Sequence, residues 1–510
     1  MFRRIIYITA LLTLTTHYGC KKFLDVKPLD RLSGNAFFQT PEDVEQNAWD
    51  IYGLFRDATG AFPLFSAAGE LRAGMMGESP QKNDGNDRSF VGVIAQNDLM
   101  NVVNTPSGKD FWNIFNLRRF TEWKPFYRII QASNILHYEL TRRQIAGLSA
   151  DDVRKYQAEA VFMRCLTYFI MVRLWGDVPY FTDAYHETPL PREKMTVVVN
   201  NCIEELNNTK NDLPWTFTDP AYRGARASRG AALALIMELA MWNAGFDKAN
   251  ARKYYEQTAA AGKELEESES YRLLPIEESF TIFKGRSEES LFDIVINSNY
   301  GETLGDKWND LSEFVTHWPY KRPAHNHQYS FTFIRSEHLR RLYPSGVPDA
   351  RTEMWFDAQM YANDGTFLFL KYNSLHEQGN ADVNVDNDLI VLRYAGSLLI
   401  YAEALAELGT QDGEATRLLN LVRGRARTTL YQGGGGPALK EAIFTERVKE
   451  LMMEGHYYFD LVRTGRVMNA QWCYYPLTQA QFENGGWTWP LSPSVLDNNP
   501  YMQLNNYWLR

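Results

Sequence analysis

The sequence predicts a mostly α protein in which tetratricopeptide-like pairs of antiparallel helices form a scaffold that carries long, loop-rich insertions. The stretch 228–265 gives the strongest indication, because two amphipathic helical patterns follow each other there across a very short turn. Helical patterns recur on both sides of it, and a single pair cannot bury its own apolar face. Two long stretches without periodicity, 60–109 and 277–387, predict the insertions.

The helix pair in 228–265 is expected to be covered by further helices. Ser228 is the predicted N-cap of the first helix, and Gly245 is expected to end it. Asp247 should then cap the second helix, whose inner face includes Tyr255 and Leu265. The first helix is apolar on both sides, so it needs neighbours on both flanks.

The other helices are indicated by start signals and by spacing. Thr40 is a predicted N-cap with Pro41 at the first helical position. After the second insertion the helical pattern resumes at Leu389. The remaining helical patterns lie in 123–136, 151–176 and 195–206, and further ones follow Leu389 as far as residue 461.

Three further segments complete this scheme. Residues 291–296 indicate a short buried strand inside the second insertion. Cys165 and Cys202 lie on apolar helix faces, where they are expected to pack as small hydrophobic residues rather than as a disulfide. The aromatic tail 472–510 is expected to lie over the helices as ordered coil.

The N-terminus has the pattern of an export signal. Arg3 and Arg4 precede the apolar stretch 5–14, which is too short to span a bilayer comfortably. A small residue followed by Cys20 resembles a bacterial lipoprotein cleavage site, so Cys20 is the predicted lipidated residue. A plain secretory signal followed by an unmodified cysteine is the alternative. The predicted division is a signal peptide at 1–19, a lipid-anchored tether at 20–34 and a single helical domain at 35–510.

Charge and aromatic content bear on the class of ligand. The chain has 53 basic and 62 acidic side chains, a formal net charge of -9, so nothing supports a nucleic-acid partner held through its phosphates. Aromatic residues make up 14% of the chain, with 13 Trp and 28 Tyr, which is more than a helical core needs. Because Tyr and Trp in loops are rigid amphipathic contact surfaces, the excess indicates a binding face.

The two insertions supply the candidate ligand contacts. A sugar ring has an apolar face flanked by hydroxyls, so aromatic planes can stack on it while polar side chains bind the hydroxyls. The alternative is that each aromatic residue anchors its own loop to the scaffold. The predicted binding residues are Glu70, Arg72, Asn97, Trp112, Tyr300, Trp308, Trp318 and Tyr320, with Asp98, Asn113 and Asn309 as further polar candidates.

Other constellations are better explained by structure than by chemistry. Glu446, Glu450, Glu454, His456, Asp460 and Arg463 could serve acid and base roles, but their helical spacing favours a network that ties helices together. The alternating Asp and Asn residues from Asp382 to Asp388 resemble the start of a calcium-binding loop. Asn387 stands at the sixth position, where the loop needs Gly, and Arg393 at the twelfth, where it needs Glu. A turn that caps a helix at Leu389 is therefore the preferred interpretation. His325 with His327 and the run Gly433 to Gly436 indicate loop features, and no metal or cofactor is expected.

Together these residues resemble the SusD/RagB family of outer-membrane nutrient-binding lipoproteins. The resemblance rests on four stretches in the family's order, with 420–426 beside the third: Gly19 to Pro28, Leu174 to Pro179, Arg393 to Leu408 and Glu446 to Arg463. It implies a SusD-like fold, with an N-terminal part at about 35–215 and a C-terminal part at about 270–510. It also implies a lipid-anchored protein on the exterior of the outer membrane, partnered by a SusC-like TonB-dependent transporter.

The function expected from the resemblance is capture of an oligosaccharide or polysaccharide, without catalysis. Binding of a peptide or glycopeptide in the same role is an alternative. A helical glycosidase is another, which would need two carboxylates across an aromatic cleft, and Glu70 with Asp306 or Asp310 is the pair to test. A purely structural partner of the transporter, whose aromatic residues only pack, is the third.

Overall fold

A computed structural model describes most of the chain after the predicted tether. The described residues are 38–60, 62, 64–78, 90–104, 117–297, 332–362, 367, 369–372, 375–376, 384–385, 387–497 and 499–509. The predicted signal peptide, Cys20 and the tether lie outside them. Within the described ranges no helix has the length and apolar character needed to cross a membrane.

The protein is mostly α, as the sequence predicts. The scaffold helices are α1 (Pro41–Gly60), α2 (Lys124–Arg142), α3 (Ala150–Trp175), α4 (Met195–Thr209), α5 (Arg229–Phe246), α6 (Ala251–Glu267), α7 (Tyr394–Leu408), α8 (Asp412–Arg425), α9 (Pro437–Glu450) and α10 (Tyr457–Arg463). From α2 to α8 each helix packs against the next, and α7 also packs against α9. This succession confirms the stacked, tetratricopeptide-like arrangement.

Shorter elements connect and cover the scaffold. The short helices are Phe90–Ala95, Met100–Asn104, Ser279–Lys284, Ser336–Leu342, Arg351–Met354, Gln479–Glu483 and Pro493–Leu496. The strands are β1 (Met76–Glu78), β2 (Ser290–Ile294), β3 (Thr332–Ile334), β4 (Leu375–His376), β5 (Asn384–Val385) and β6 (Leu389–Arg393). They form three antiparallel pairs, β1 with β3, β2 with β6 and β4 with β5.

Two predicted helix starts are confirmed by their hydrogen bonds. The Ser228 hydroxyl accepts from the Ala231 amide at 3.1 Å, which caps α5. The Thr40 hydroxyl accepts from the Asp43 amide at 3.2 Å, and the Asp43 carboxylate accepts from the Thr40 amide at 2.9 Å. Both caps satisfy amide groups that the first helical turn leaves without partners.

The turn between α5 and α6 differs from the prediction. Gly245 does not end α5, which continues to Phe246. A Cβ at Gly245 would lie 2.5 Å from the Arg463 carbonyl oxygen, so the glycine permits close contact with α10 instead. Asp247 does not cap α6 either, because its carboxylate accepts from the side chains of Asn250 and Tyr254 at 2.9 and 3.0 Å. Tyr254, rather than Tyr255, is the buried tyrosine of α6.

Residues 389–393 also differ from the prediction, because they form strand β6 and not the start of a helix. β6 pairs antiparallel with β2, which confirms the predicted strand near 291–296, and α7 begins only at Tyr394. Asp388 therefore caps no helix, and its carboxylate accepts from the Ile296 amide at 2.9 Å. An apolar run that is buried on both faces has no periodicity that separates strand from helix.

The acidic cluster of α9 and α10 belongs to the scaffold, as the sequence predicts. The Arg351 guanidinium lies 2.7 Å from Glu446, and that of Arg393 lies 2.8 Å from Glu450 and 2.7 Å from Glu454. We call this group the buried ionic core, and it comprises Glu289, Arg351, Lys371, Arg393, Arg425, Glu446, Glu450 and Glu454. A second buried network joins α5, α7, α9 and α10 through Glu238, Glu403, Arg447, Asp460 and Arg463.

Charge pairing favours the ionised form of Glu450 and Glu454, two carboxylates of the core. Burial alone raises the pKa of Glu450, but the guanidiniums of Arg425, Arg393 and Arg351 outweigh burial and hold that pKa well below its usual value. Burial lowers the pKa of His456 to about 4. These groups therefore hold helices together and are not arranged as a pair of acid and base at a cleft.

Cysteines and the tail follow the prediction as well. Cys165, Cys202 and Cys473 are free and buried. The tail lies over the helix ends as coil interrupted by short helices, and the Trp489 amide donates to the Leu174 carbonyl at 2.6 Å. The indole of Trp489 stacks on Phe120 with the ring centroids 3.9 Å apart.

Candidate ligand-binding surface at the roots of the long loops

The structure describes some of the predicted binding residues and not others. Glu70, Arg72 and Asn97 are described, together with Asp98, which is exposed. The following predicted residues lie outside the described ranges: Trp112, Asn113, Tyr300, Asp306, Trp308, Asn309, Asp310, Trp318, Tyr320, His325 and His327. For these residues, the predicted roles stay predictions.

Arg72 joins the first insertion to the C-terminal tail. Its guanidinium donates to the carbonyls of Gly486 at 3.0 Å and of Thr488 at 3.2 Å, and also to that of Trp487. The side-chain amide nitrogen of Asn97 donates to the same Gly486 carbonyl at 2.7 Å, and its side-chain oxygen accepts from Arg72. Because Arg72 is only 3% exposed, the structure gives it a structural role, and direct contact with a ligand stays a prediction.

Glu70 is placed in a similar way. Its side chain is 4% exposed, and one carboxylate oxygen accepts from the Gly455 amide at 2.9 Å. Burial raises the pKa of Glu70 to about 8, although the Gly455 hydrogen bond acts in the opposite direction. The carboxyl group lies beneath the surface, so contact between Glu70 and a ligand also stays a prediction.

The two insertions meet at the β1–β3 pair. β1 ends at Glu78, which directly precedes the undescribed segment 79–89, and β3 begins at Thr332, which directly follows 298–331. In the antiparallel register Glu78 is the partner of Thr332. The roots of the two loop regions that the sequence selects therefore lie side by side, although about 250 residues separate them along the chain.

The stretch that carries Trp112 is rooted in the same way. The short helix Met100–Asn104 precedes the undescribed segment 105–116, and a helical turn at Leu117–Thr121 follows it. These two elements contact each other, and Val102, Leu117 and Phe120 are buried between them and the core. The segment 105–116 therefore leaves and re-enters the scaffold at one place.

An aromatic pair lies beside the β1–β3 pair. The Tyr474 amide donates to the Ala73 carbonyl at 2.8 Å, which holds the tail against the approach to β1. The rings of Tyr474 and Tyr475 are 4.9 Å apart at an interplanar angle of 77°, and they are 43% and 37% exposed. The Arg335 guanidinium lies 4.3 Å above the Tyr474 ring and donates to the Gly74 carbonyl at 3.1 Å.

Gly74 makes this packing possible. Its φ of 70° lies in the left-handed region, and a Cβ there would lie 2.9 Å from the Tyr474 Cβ. We call Gly74, Arg335, Tyr474 and Tyr475 the loop-root surface. It offers exposed aromatic area, two phenolic hydroxyls and a positively charged group next to the roots of the insertions.

Sequence reasoning missed the tyrosine pair. The sequence predicts an aromatic, ordered tail, but the predicted binding residues do not include the adjacent tyrosines before Pro476. The available signal is the Tyr-Tyr-Pro sequence, because the residue before a proline is disfavoured in a helix and the pair therefore does not fit a buried helix face. Among the described residues no group of His, Cys, Asp and Glu is arranged to hold a metal ion.

A helical-repeat scaffold whose aromatic surface lies at the roots of long insertions defines a binding protein. The model of the SusD family matches residues 357–508, and a family model described as starch-binding and associating with the outer membrane matches 69–239. A SusD homolog of known structure from Bacteroides thetaiotaomicron is 35% identical, with a TM-score of 0.83, over 92% of this chain and 99% of that one. The chain belongs to the SusD family, whose members bind carbohydrate.

More distant relatives agree in length and fold. SusD-like protein P38 of Formosa agariphila is 24% identical over 97% of both chains. The surface glycan-binding protein A of Bacteroides uniformis is 20% identical, with a TM-score of 0.69, over 92% of this chain and 100% of that one. At this identity the second likeness concerns the fold alone.

Proposed function

We propose that the protein is a non-catalytic lipoprotein that captures glycan at the cell surface and delivers it to a SusC-like, TonB-dependent transporter of the outer membrane. Membership of a glycan-binding family supports the ligand class, and the outer-membrane association of the matching family model supports the location. Cys20 and the tether 20–34 would supply the lipid anchor.

The convergence of the two insertions at the β1–β3 pair is the observation that carries the proposal. A glycan-binding face needs several aromatic planes and polar groups within one ligand length, although they come from distant parts of the chain. The pairing of Glu78 with Thr332 brings the roots of both insertions together. The exposed Tyr474 and Tyr475 add aromatic surface at the same place.

The loop residues extend this face in the proposal. Trp112, Tyr300, Trp308, Trp318 and Tyr320 would stack on sugar rings, because an aromatic plane matches the apolar face of a pyranose. Glu70, Arg72 and Asn97 would support the face from below, where Arg72 and Asn97 hold the tail through Gly486.

The carboxylates of the family motif support a role without catalysis. Glu446, Glu450 and Glu454 are each bonded to buried cations, and so are not available as a pair of acid and nucleophile. Glu70, the one described member of the carboxylate pair considered for a glycosidase, is buried against Gly455. A capture protein needs only reversible binding, which a rigid scaffold with an aromatic face provides.

Calorimetric titration of the chain from residue 21 onwards, with a panel of oligosaccharides, tests the proposal. We expect saturable binding of one glycan class, with the sugar recovered intact by chromatography. Tyr474→Ala should weaken binding about five- to tenfold, since it removes one stacking plane, and Trp308→Ala should weaken it too.

Tyr138→Ala is the matched control, because Tyr138 is 42% exposed on α2 and does not belong to the loop-root surface. Its affinity should equal that of the unmodified chain. Shortened sugar would show an enzyme and reject the proposal. Saturable binding of peptides, with no response to any glycan, would reject the ligand class.

A further inference from the structure

Two cavities lie side by side and share no lining residue with the loop-root surface. The first has a volume of about 710 Å³ and is bordered by the start of α2 and the segment after α3. The second has a volume of about 740 Å³ and is bordered by the end of α5 and by the tail. Both volumes are typical of ligand sites, and none of Gly74, Arg335, Tyr474 and Tyr475 lines either cavity.

A thin partition divides the two cavities. It consists of the segments 189–192 and 499–504, whose residues line one cavity or the other in turn. The side-chain amide of Asn499 donates to the Leu190 carbonyl at 2.8 Å, and the Arg192 guanidinium donates to the Gln503 carbonyl at 2.9 Å. These bonds join the two segments, so the partition is a fixed part of the surface.

Each cavity has an aromatic wall. In the first, the rings of Tyr127 and Phe181 are stacked with centroids 5.8 Å apart at 15°. In the second, the rings of Phe246 and Phe482 are stacked with centroids 5.9 Å apart at 5°. The Tyr127 hydroxyl donates to the Pro179 carbonyl at 2.8 Å, which fixes the first wall before any ligand arrives.

Tyr501 stands on the partition between these walls. It is 56% exposed, and its amide donates to the Asn499 side chain at 3.0 Å. Asn499 lines the first cavity and Tyr501 the second, so this exposed tyrosine lies next to the divide between them. Exposed tyrosine at a divide between two cavities is a suitable platform for a sugar ring.

The polar groups of both cavities suit a neutral ligand. Amide and hydroxyl side chains line them, namely Thr188, Ser494 and Asn499 in the first and Asn484, Gln503 and Asn505 in the second. Charged side chains also line both cavities, namely Glu122, Lys124 and Glu187 in the first and Asp177, Arg192 and Glu483 in the second. Lys124, Glu187 and Glu483 are exposed to water, so an ion pair with a ligand would gain little there. Asp177 and Arg192 are already bonded within the protein, to the Met195 amide and to Gln503 and Asn505. Hydroxyl groups, which both donate and accept, match such a surface.

We infer that the two cavities and Tyr501 form a second saccharide-binding site, which holds a neutral oligosaccharide across the partition. It is separate from the loop-root surface, and the two sites together would bind a long glycan at two points. When one glycan molecule occupies both sites, its overall affinity for the protein rises without any new contact.

The test uses the chain from residue 21 with Tyr474→Ala as background, so that the loop-root surface is weakened. Hexasaccharides and disaccharides of α-1,4-glucan, β-1,4-glucan, β-1,3-glucan, β-1,4-mannan and β-1,4-xylan are titrated by calorimetry. We expect one series to bind, with the hexasaccharide tighter than the disaccharide. Tyr501→Ala should weaken the hexasaccharide about five- to tenfold, and Tyr501→Trp should restore it.

Phe280→Ala is the matched control, because Phe280 is 52% exposed and lines neither cavity. Thermal unfolding of each variant shows whether the tail remains folded. Equal hexasaccharide affinity with and without Tyr501→Ala, or no binding of any series in this background, overturns the inference. An effect of Tyr474→Ala on its own concerns the loop-root surface, so failure of one site is distinguished from failure of the other.

Discussion

The buried ionic core and the loop-root surface use similar side chains in opposite surroundings. In the core, Arg393 is 3% exposed and contacts Glu450 and Glu454 at 2.8 and 2.7 Å. At the surface, Arg335 is half-buried and lies over Tyr474, which remains 43% exposed. Removing one partner of a buried ion pair leaves the other charge without compensation and destabilises the protein, whereas an exposed ring can be substituted without such a loss. Stability and binding should therefore be carried by different regions.

The largest expected effect is in the core. Arg393→Leu removes the cation that faces Glu289, Glu450 and Glu454, and leaves buried carboxylates with too few partners. Breaking a buried ion pair from one side costs about 3–5 kcal/mol. We expect the free energy of unfolding, measured by urea titration, to fall by that amount.

The exposed pair of Arg252 and Glu256 is the control for Arg393→Leu. Its nitrogen and oxygen are 3.0 Å apart, as close as many core pairs, but the side chains are 68% and 56% exposed. Arg252→Ala should change the free energy of unfolding by no more than about 0.5 kcal/mol. Equal losses in the two variants would show that burial does not determine the strength of these pairs.

The contact between α5 and α10 should give the next largest effect. Gly245→Ala places a methyl group 2.5 Å from the Arg463 carbonyl oxygen, so one helix must move. We expect a loss of about 1–3 kcal/mol in the free energy of unfolding. Gly53→Ala in α1 meets nothing within 4 Å, and should instead gain about 0.5–1 kcal/mol. Stabilisation by both substitutions would contradict the assigned packing role of Gly245.

This difference between regions also explains what the sequence could predict. Helix starts such as Thr40 and Ser228 use local hydrogen bonds, which local residues specify. The β1–β3 pair is three residues long and joins distant segments, so no local pattern indicates it. Gly245 was interpreted as a stop because sequence alone does not show that another helix lies against it.

The candidate binding surface is less predictable from the sequence than the scaffold. The insertions were located from their missing periodicity, and the structure shows that their roots meet. Within the first insertion the sequence predicts Arg72 as a polar ligand contact, and the structure shows that it is buried and bonded to the tail. Tyr474 is exposed while Trp489 of the same aromatic tail is 1% exposed, and composition cannot separate the two.

A pH dependence of stability should arise from the buried carboxyl group of Glu70. Burial raises the pKa of its carboxyl to about 8 in the folded protein, in surroundings that include Lys371, Glu454 and Asp460. The folded state therefore keeps a proton on Glu70 that the unfolded state has already lost. The contribution of this proton to the free energy of unfolding is present at low pH and disappears as the pH rises through about 8.

Glu70→Gln keeps an acceptor for the Gly455 amide and cannot ionise. Between pH 5 and 8 the unmodified protein should lose stability relative to this variant by about 1.4 kcal/mol for each pH unit. Urea titrations of both proteins at pH 5, 6.5 and 8 measure the difference. A difference that stays constant across this range would show that Glu70 is ionised in the folded protein throughout.

The smallest expected effect on stability belongs to the loop-root surface. Tyr474→Ala removes an exposed ring whose contacts are the edge of Tyr475 and the guanidinium of Arg335. Each of these two contacts contributes about 0.5–1 kcal/mol at an exposed site. Because water solvates the groups that the ring leaves, part of this contribution is recovered, and the free energy of unfolding should fall by about 1 kcal/mol or less. Glycan affinity should nevertheless fall five- to tenfold, measured on the same preparation. A loss of stability as large as that of Arg393→Leu would instead place Tyr474 in the scaffold, and the separation of binding from stability would no longer hold at this surface.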